Sequence, residues 1–329
     1  MRTEDEDLIT ALRSGDRSAL ARAITLVESR RPEDRSRLMA LLAMLTDHGE
    51  SLRIGITGIP GAGKSTLIDA LGSALIDRGH RVAVLAVDPS SQRSGGSILA
   101  DKTRMHRLAT DPRAFVRPTA TGGVLGGIAL RTRETLLLCE EAGYDRVLVE
   151  TVGAGQNESD VDRVTDLTVL LLIAGAGDEL QGIKRGIMEA ADMVVVTKTD
   201  TAPPALVNAA VCHLEHALHL MPLRDGRRPP VLRCSALTGE GIDELADLLE
   251  ELGDRCASTG ALQRRRNEQA AHWLHTGLRQ ALLDRALQDP RLAGALPELE
   301  ARVSAGTLDP AVAVDRLMRL LRTGGAPPP

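Results

Sequence analysis

Eight consecutive residues limit this chain more than any other stretch: Gly58-Ile59-Pro60-Gly61-Ala62-Gly63-Lys64-Ser65. They follow the apolar run Leu52 to Thr57 and precede Thr66-Leu67-Ile68-Asp69-Ala70-Leu71, an order that reads strand, tight loop, helix. In the pattern G-x-x-x-x-G-K-[ST], glycines let the loop wind so tightly that successive backbone N–H groups face inward and cradle a phosphate at a helix N-terminus. Lys64 would bridge β- and γ-phosphate oxygens, and Ser65 would put its hydroxyl on the Mg²⁺ that neutralises them. Gly58 to Ser65, with Thr66 behind them, are the expected nucleotide contacts.

From Leu52 to about Asp254 apolar strands alternate with helical stretches, the signature of a parallel sheet with crossover helices. Strands are expected at 52–57, 81–87, 114–117, 145–150, 167–173, 192–197 and 230–234. Helices are expected near 64–79, 101–109, 127–142, 156–163, 180–190, 204–220 and 241–252. Runs such as Val147-Leu148-Val149 and Val169-Leu170-Leu171-Leu172-Ile173 are apolar on both faces, as strands buried under helices should be. The fold class is therefore α/β: a P-loop NTPase with a mostly parallel central sheet flanked by helices, plus helical N- and C-terminal extensions.

Residues 1–50 read as an all-helical preface, with Pro32-Glu33-Asp34 at a helix start and Gly49 ending its last helix. The nucleotide domain spans 51–256. A long helix and two shorter ones, about 295–305 and 310–322, make an arm over 257–323, and 324–329 read as a disordered tail. The arm has too little sequence for a core of its own. A two-fold homodimer is the preferred reading, and an arm folded back on its own domain is the other.

Composition excludes several classes. A net charge of −5 leaves no basic footprint for nucleic acid, and Phe115, Tyr144 and Trp273, the chain's three aromatics, offer few stacking platforms. The longest apolar run, Leu167 to Gly177, is about half of the roughly 20 residues a membrane span needs. The acidic start Met1 to Asp7 has neither a signal-peptide core nor a transit helix, so the expectation is a cytoplasmic protein, not bound to membranes. Cys139, Cys212, Cys234 and Cys256 form no C-x-x-C pair and read as reduced core thiols.

Three further stretches carry chemistry. Thr197-Lys198-Thr199-Asp200 closes a strand, and a carboxylate there can accept from N1–H and the exocyclic amine of guanine. Adenine has no donor at N1 and would leave that carboxylate unpaired. Lys198 would lay its aliphatic stem along the base, and Ser235-Ala236-Leu237, one strand later, completes the base site. The ligand is thus GTP or GDP. The pattern is that of the N-K-x-D guanine box, except that Thr197 stands where asparagine is usual, so any bridging contact is made differently. Glu150-Thr151-Val152-Gly153 closes another strand, where an acid orients a metal-bound water and Gly153 N–H would touch the γ-phosphate. Asp88 closes a third, ahead of a polar, glycine-rich segment containing Asp101. Asp88, Asp101 and Glu150 are the candidate catalytic and Mg²⁺-associated acids beside Lys64 and Ser65. Which of them touches the ion is open.

The loop G-I-P-G-A-G-K-S-T, the string S-G-G-S-I-L-x-D-K-T-R-M after D-P-S-S, and E-T-V-G-x-G-Q-x-E resemble those of the methylmalonyl-CoA mutase-associated GTPases of the MeaB type, over roughly residues 20 to 290. The resemblance implies a GTPase that chaperones the adenosylcobalamin-dependent mutase, gating cofactor loading and protecting the enzyme, with the mutase accelerating hydrolysis. It implies a homodimer and Mg²⁺ as cofactor, with no cobalamin held by this chain. It also implies that the loop 175–186, with Asp178, Gln181 and Lys184, passes nucleotide state to the partner. The chain offers no assured water-orienting glutamine, since Gln156 suits a helix-capping or surface role as well, and no arginine plainly placed as a finger, Arg93 and Arg104 being the candidates, so intrinsic hydrolysis is expected to be slow.

Two rivals follow from the same residues. Nickel-insertion GTPases share the glutamate-for-aspartate change at Glu150, and His213, His216 and His219 recur on one helix. Those histidines read as a solvated face, and His272 and His275 as structural. A small-molecule kinase would need an acceptor pocket and a base, which the guanine box and the loops that follow the strands argue against.

Overall fold

The computed structural model describes residues 2–29, 31–45, 51–88, 105–120, 127–151, 161–174 and 185–322. Seven strands form one sheet: β1 Leu52–Gly58, β2 Val82–Asp88, β3 Ala114–Ala120, β4 Arg146–Thr151, β5 Leu167–Ile173, β6 Met193–Thr197 and β7 Val231–Arg233. They lie in the order β3-β2-β4-β1-β5-β6-β7, and every pair is parallel. Each expected strand forms within a few residues of its sequence-derived limits. The longest apolar run becomes β5, buried along nearly its whole length as a central parallel strand should be.

The chain leaves β1 for β2 and β3 on one side, returns as β4 beside β1, then crosses to β5 on the other side. That reversal opens a crevice at the carboxyl end of β1, the place where ligands bind in open α/β sheets. The helices between the strands cover both faces. Helix α4 (Lys64–Asp77) and the later helix Ile242–Ser258 bury Leu67, Leu71, Leu245 and Leu249 against Ile54 and Ile56. On the other face Val207, Leu214 and Leu218 pack on Leu170, Leu172, Val194 and Val196.

The remaining helices, in chain order, are α1 Arg2–Arg13, α2 Arg17–Glu28 and α3 Pro32–Leu42 before the sheet, then α5 His106–Thr110, α6 Gly127–Glu141 and α7 Arg185–Ala190 within it. They are followed by α8 Pro204–His219, α9 Ile242–Ser258, α10 Ala261–Leu287, α11 Pro290–Ser304 and α12 Pro310–Arg322. Asp16 caps α2 by accepting from Ser18 N at 2.7 Å, and Pro32 opens α3 as its fixed φ allows. Helix α3 stops at Leu42, where Ala43 caps it, and Gly49, expected to end the last helix before β1, lies outside the described residues. Where a helix was expected over 156–163, the described part is a single 3₁₀ turn, Val161–Arg163. The first three helices are tied to α6 and β3 by arginine–carboxylate pairs, Arg13–Glu141 at 2.6 Å, Arg35–Glu134 at 2.7 Å and Arg117–Glu28 at 2.6 Å.

The chain packs as two units, Met1–Gln269 and Ala270–Pro329. The first two turns of α10 belong to the first unit and are held at the amino end of the sheet. Arg266 donates to Asp166 at 2.7 and 2.8 Å, Arg265 reaches Asp192 at 3.0 and 3.1 Å, and Gln269 Nε2 donates to the carbonyls of Asp162 and Thr165 at 2.9 and 2.7 Å. In the second unit Leu292 and Leu299 of α11 are buried, while Leu274, Leu278 and Leu282 of α10 are exposed.

All four cysteines are free. Burial pushes the Cys139 thiol well up and that of Cys234 up to about 12, which suits inert core thiols. Cys212 departs from that expectation: it lies on the exposed face of α8.

Candidate active site

The phosphate loop has the backbone its glycines were expected to permit. At Gly58, with φ of 149°, a Cβ would lie 2.4 Å from the carbonyl oxygen of Leu171 on the neighbouring strand, so no side chain fits. Gly61 and Gly63 have φ of 80° and 81°, the left-handed region that glycine enters without steric cost. Gly63 caps α4, whose first N–H groups and dipole then face the loop. Lys64 is buried, and its ammonium donates to the carbonyls of Gly58 at 2.8 Å and Ile59 at 3.1 Å.

Ser65 and Glu150 meet although 85 residues apart: the serine hydroxyl donates to Glu150 Oε1 at 2.7 Å. The sheet causes this meeting. Glu150 is in register with Ile56 across β4 and β1, which sets the end of β4 beside the loop. Thr151, the next residue, places its hydroxyl 3.1 Å from that of Thr57. A hydroxyl and a carboxylate oxygen in contact at a helix N-terminus are the hard oxygen donors that Mg²⁺ takes, so these residues fit that ion. Asp88 ends β2 opposite Ala120 of β3, at the same carboxyl edge of the sheet. Asp101, Gly153, Asp178, Gln181 and Lys184 lie outside the described residues, as do Arg93, Arg104 and Gln156.

A cavity of about 200 Å³ opens beside the loop, and it joins the two sequence motifs. Gly63 and Thr66 from the phosphate loop and α4, Lys198 and Asp200 from the end of β6, and Ala236 and Leu237 after β7 all line it. Lys198 adopts a left-handed φ of 58°, uncommon outside glycine and a conformation that persists where the surroundings enforce it. Its stem lies over the loop: a Cβ on Gly63 would sit 3.6 Å from Lys198 Cε. Asp200 is exposed at the cavity.

The 235–237 strip is presented by a tight turn. Ser235 is buried and does not line the cavity. Its N–H donates to Glu240 O at 2.9 Å and its hydroxyl accepts from Thr238 N at 3.2 Å. Gly241 closes the turn with φ of 73°, where a Cβ would come within 2.2 Å of Arg233 O. Leu237, an apolar side chain that lines the cavity, stands 76% exposed.

Sequence reasoning missed three lining residues, Leu67, Thr197 and Thr201. Leu67 directly follows Thr66 and Thr201 directly follows Asp200, and the motif spacing alone does not mark them. Thr197 reads in the sequence as a departure from the guanine box whose bridging contact is weaker or made differently. Its hydroxyl, buried, lies 2.8 Å from the carbonyl oxygen of Ala62 in the phosphate loop and 3.1 Å from that of Leu172. Position 197 therefore does bridge strand and loop.

The histidines of α8 stay apart from this site. His213, His216 and His219 are exposed, and the Nδ1 atoms of the last two sit 2.9 and 2.7 Å from the carbonyls four residues back. Among the described residues no three His, Cys, Asp or Glu side chains gather as a metal site. No helix among the described residues is long and apolar enough to cross a membrane.

Comparison with known proteins agrees with this geometry. The family model described as "Methylmalonyl Co-A mutase-associated GTPase MeaB" matches residues 20–291. A probable GTPase of Mycobacterium tuberculosis is 50% identical over 317 residues, covering 96% of this chain and 94% of that protein. "GTPase ArgK" of Escherichia coli is 44% identical over 317 residues, with 96% of each chain covered. The mouse "Methylmalonic aciduria type A homolog, mitochondrial" is 42% identical over 330 residues, 96% of this chain and 79% of that one. A solved structure described as an LAO/AO transport system kinase superposes with a TM-score of 0.75 at 37% identity, covering 98% of this chain and 99% of that one.

Proposed function

The chain belongs to the methylmalonyl Co-A mutase-associated GTPases, and on that premise we propose that it is a GTP-hydrolysing chaperone of an adenosylcobalamin-dependent methylmalonyl-CoA mutase. That it is a GTPase follows from the family, its relatives and the P-loop fold. The mutase enters through one observation, the family model that spans residues 20–291, from within α2 through the whole sheet to the end of α10.

The site residues support the chemistry. Lys64 exchanges two loop carbonyls for phosphate oxygens when nucleotide binds, which keeps its charge paired throughout. The N–H groups of the loop and of the α4 terminus hold the β-phosphate. Asp200 selects guanine, and Lys198 with Leu237 flank the base. Mg²⁺, held by the Ser65 hydroxyl with Asp88, Asp101 or Glu150 behind it, supplies charge neutralisation of the phosphate oxygens when bound. Glu150 orients the attacking water through its carboxylate, already in contact with Ser65. Slow turnover of the isolated protein follows where the remaining positioning groups come from the partner. The loop 175–186, with Asp178, Gln181 and Lys184, would report nucleotide state to it.

The exposed leucines of α10, spaced four residues apart on one helical face, support a homodimer through the C-terminal unit. The test of the mutase assignment is co-purification of full-length protein with the mutase in the presence of GDP or a non-hydrolysable GTP analogue. Retention that depends on which nucleotide is present supports the proposal. Failure to bind in either state overturns it, and stoichiometric nickel in the purified protein would then favour metal insertion.

A further inference from the structure

The buried hydroxyl of Thr197 carries an inference that rests on the guanine reading of the neighbouring cavity. A threonine hydroxyl has one proton to donate. Here it faces two acceptors, Ala62 O at 2.8 Å and Leu172 O at 3.1 Å, and the side chain is almost wholly buried among them. Its lone pairs remain, but the Hoogsteen edge of guanine offers only acceptors, N7 and O6. An oxygen lone pair cannot serve an acceptor. The asparagine usual at this position has two amide N–H donors, enough for the loop and the base at once.

We infer that Thr197 is a positioning residue that clamps the end of β6 to the phosphate loop and does not read the base, so that guanine is recognised here from its Watson–Crick edge alone on this side. The clamp makes the two halves of the ligand site one body. Ala62 precedes Gly63 and Lys64, while Lys198 and Asp200 follow Thr197, so the bond to Ala62 fixes the distance between phosphate cradle and base cavity. A further backbone bond, from Ala62 N to Ile59 O at 3.2 Å, holds the preceding peptide within the loop.

The inference separates two quantities that usually move together. Removing the hydroxyl should weaken every nucleotide that uses the loop, while leaving the base contacts alone. The experiment compares GDP with 7-deaza-GDP, which lacks the N7 acceptor, on full-length wild-type, Thr197→Val and Thr197→Ser proteins, by equilibrium binding. In the wild type the two ligands should bind within about twofold of each other, since a hydrogen bond lost at N7 would cost about fivefold or more. Thr197→Val should weaken both by about five- to tenfold, the effect of one buried hydrogen bond, with their ratio unchanged. Thr197→Ser, which keeps the hydroxyl, should restore both.

A wild-type ratio of about fivefold that collapses in Thr197→Val would show that the hydroxyl reads N7, and overturns the inference. Unchanged affinity in Thr197→Val overturns it equally, because the hydroxyl would then position nothing. Should Thr197→Val not fold, Thr197→Cys, of similar size with only a weak donor, carries the same comparison. Failure of the guanine reading itself shows elsewhere: Asp200→Asn would then leave GDP affinity intact, whereas the reading requires it to fall and xanthosine diphosphate, with an acceptor at C2, to gain.

Discussion

Lys64 and Ser65 are neighbours in the chain, and Ser65 touches Glu150, yet the proposed function gives Lys64 and Glu150 different steps. Lys64 is buried with its charge on loop carbonyls, so its contribution is to binding. Lys64→Ala should weaken GDP and GTP by about a hundredfold, the scale of charge-assisted bonds to phosphate, as read by titration calorimetry. Glu150 touches Ser65, and the proposal places it in the hydrolytic step. Glu150→Gln should leave GDP affinity within a few-fold and lower single-turnover hydrolysis by about 10²–10³, the usual effect of losing one preorganised group. Equal losses in binding and hydrolysis would contradict its role. Both residues were legible in the sequence as candidates because local patterns mark them, the loop for Lys64 and a strand end followed by Thr151-Val152-Gly153 for Glu150. Thr197 was legible only as an exception. Its partner is a carbonyl of Ala62, and which strand ends beside that carbonyl depends on the sheet order, which no local pattern states.

Among the elements, strands and their crossover helices were largely readable, because a parallel strand buried on both faces leaves a continuous apolar run that ends at a polar turn. The buried ionic seams were not. Asp192 precedes β6 and accepts from Thr168 N at 2.9 Å while meeting Arg227 and Arg265, each at 3.0 Å, with Arg224 at 3.3 Å. Burial pulls the Arg265 guanidinium down and Asp192 beside it raises it more, leaving it above its ordinary range. Asp192→Ala removes the acid these arginines share and leaves the Thr168 N–H without its acceptor, although Arg265 keeps Asp225 and Arg224 keeps Asp162, and should cost about 3 kcal/mol in urea unfolding. The seam between the N-terminal helices and α6 behaves differently. Glu134 is 2% exposed, has one oxygen on Arg35 and the other without a hydrogen-bond partner, and burial raises its carboxyl above the usual range. Its folded pKa then exceeds its unfolded one, so the stability it contributes is present at low pH and is lost as pH rises through the folded value. Glu134→Gln should thus match wild type in acid and exceed it in melting temperature at pH 8, because half-exposed Arg35 can rehydrate. A wild-type advantage that grows with pH would contradict this.

For the whole molecule, the sequence placed helical regions before and after the nucleotide domain because periodicity marks helices wherever they occur. It marked less well where they start and stop, since α3 ends at Leu42, capped by Ala43, and α11 begins at Pro290, capped by Asp289. What the C-terminal unit packs against is not written in periodicity at all, since Leu274, Leu278 and Leu282 fit any apolar partner. The dimer reading predicts that Leu278→Glu halves the mass of the full-length protein in light scattering and leaves GDP affinity within a few-fold. Unchanged mass would place the partner elsewhere. The site itself was legible as two motifs, and the fold alone turned them into one cavity from Gly63 to Asp200. On the proposed function, this cavity and its acids form a GTPase completed by a mutase. The direct measurement is the steady-state release of phosphate from GTP by the full-length protein, alone and with a stoichiometric adenosylcobalamin-dependent methylmalonyl-CoA mutase. The account predicts slow turnover alone and at least a tenfold rise with the mutase, abolished by Glu150→Gln, on the scale of a partner-supplied positioning group. Turnover of tens per second without a partner, or a rate indifferent to the mutase, would contradict it.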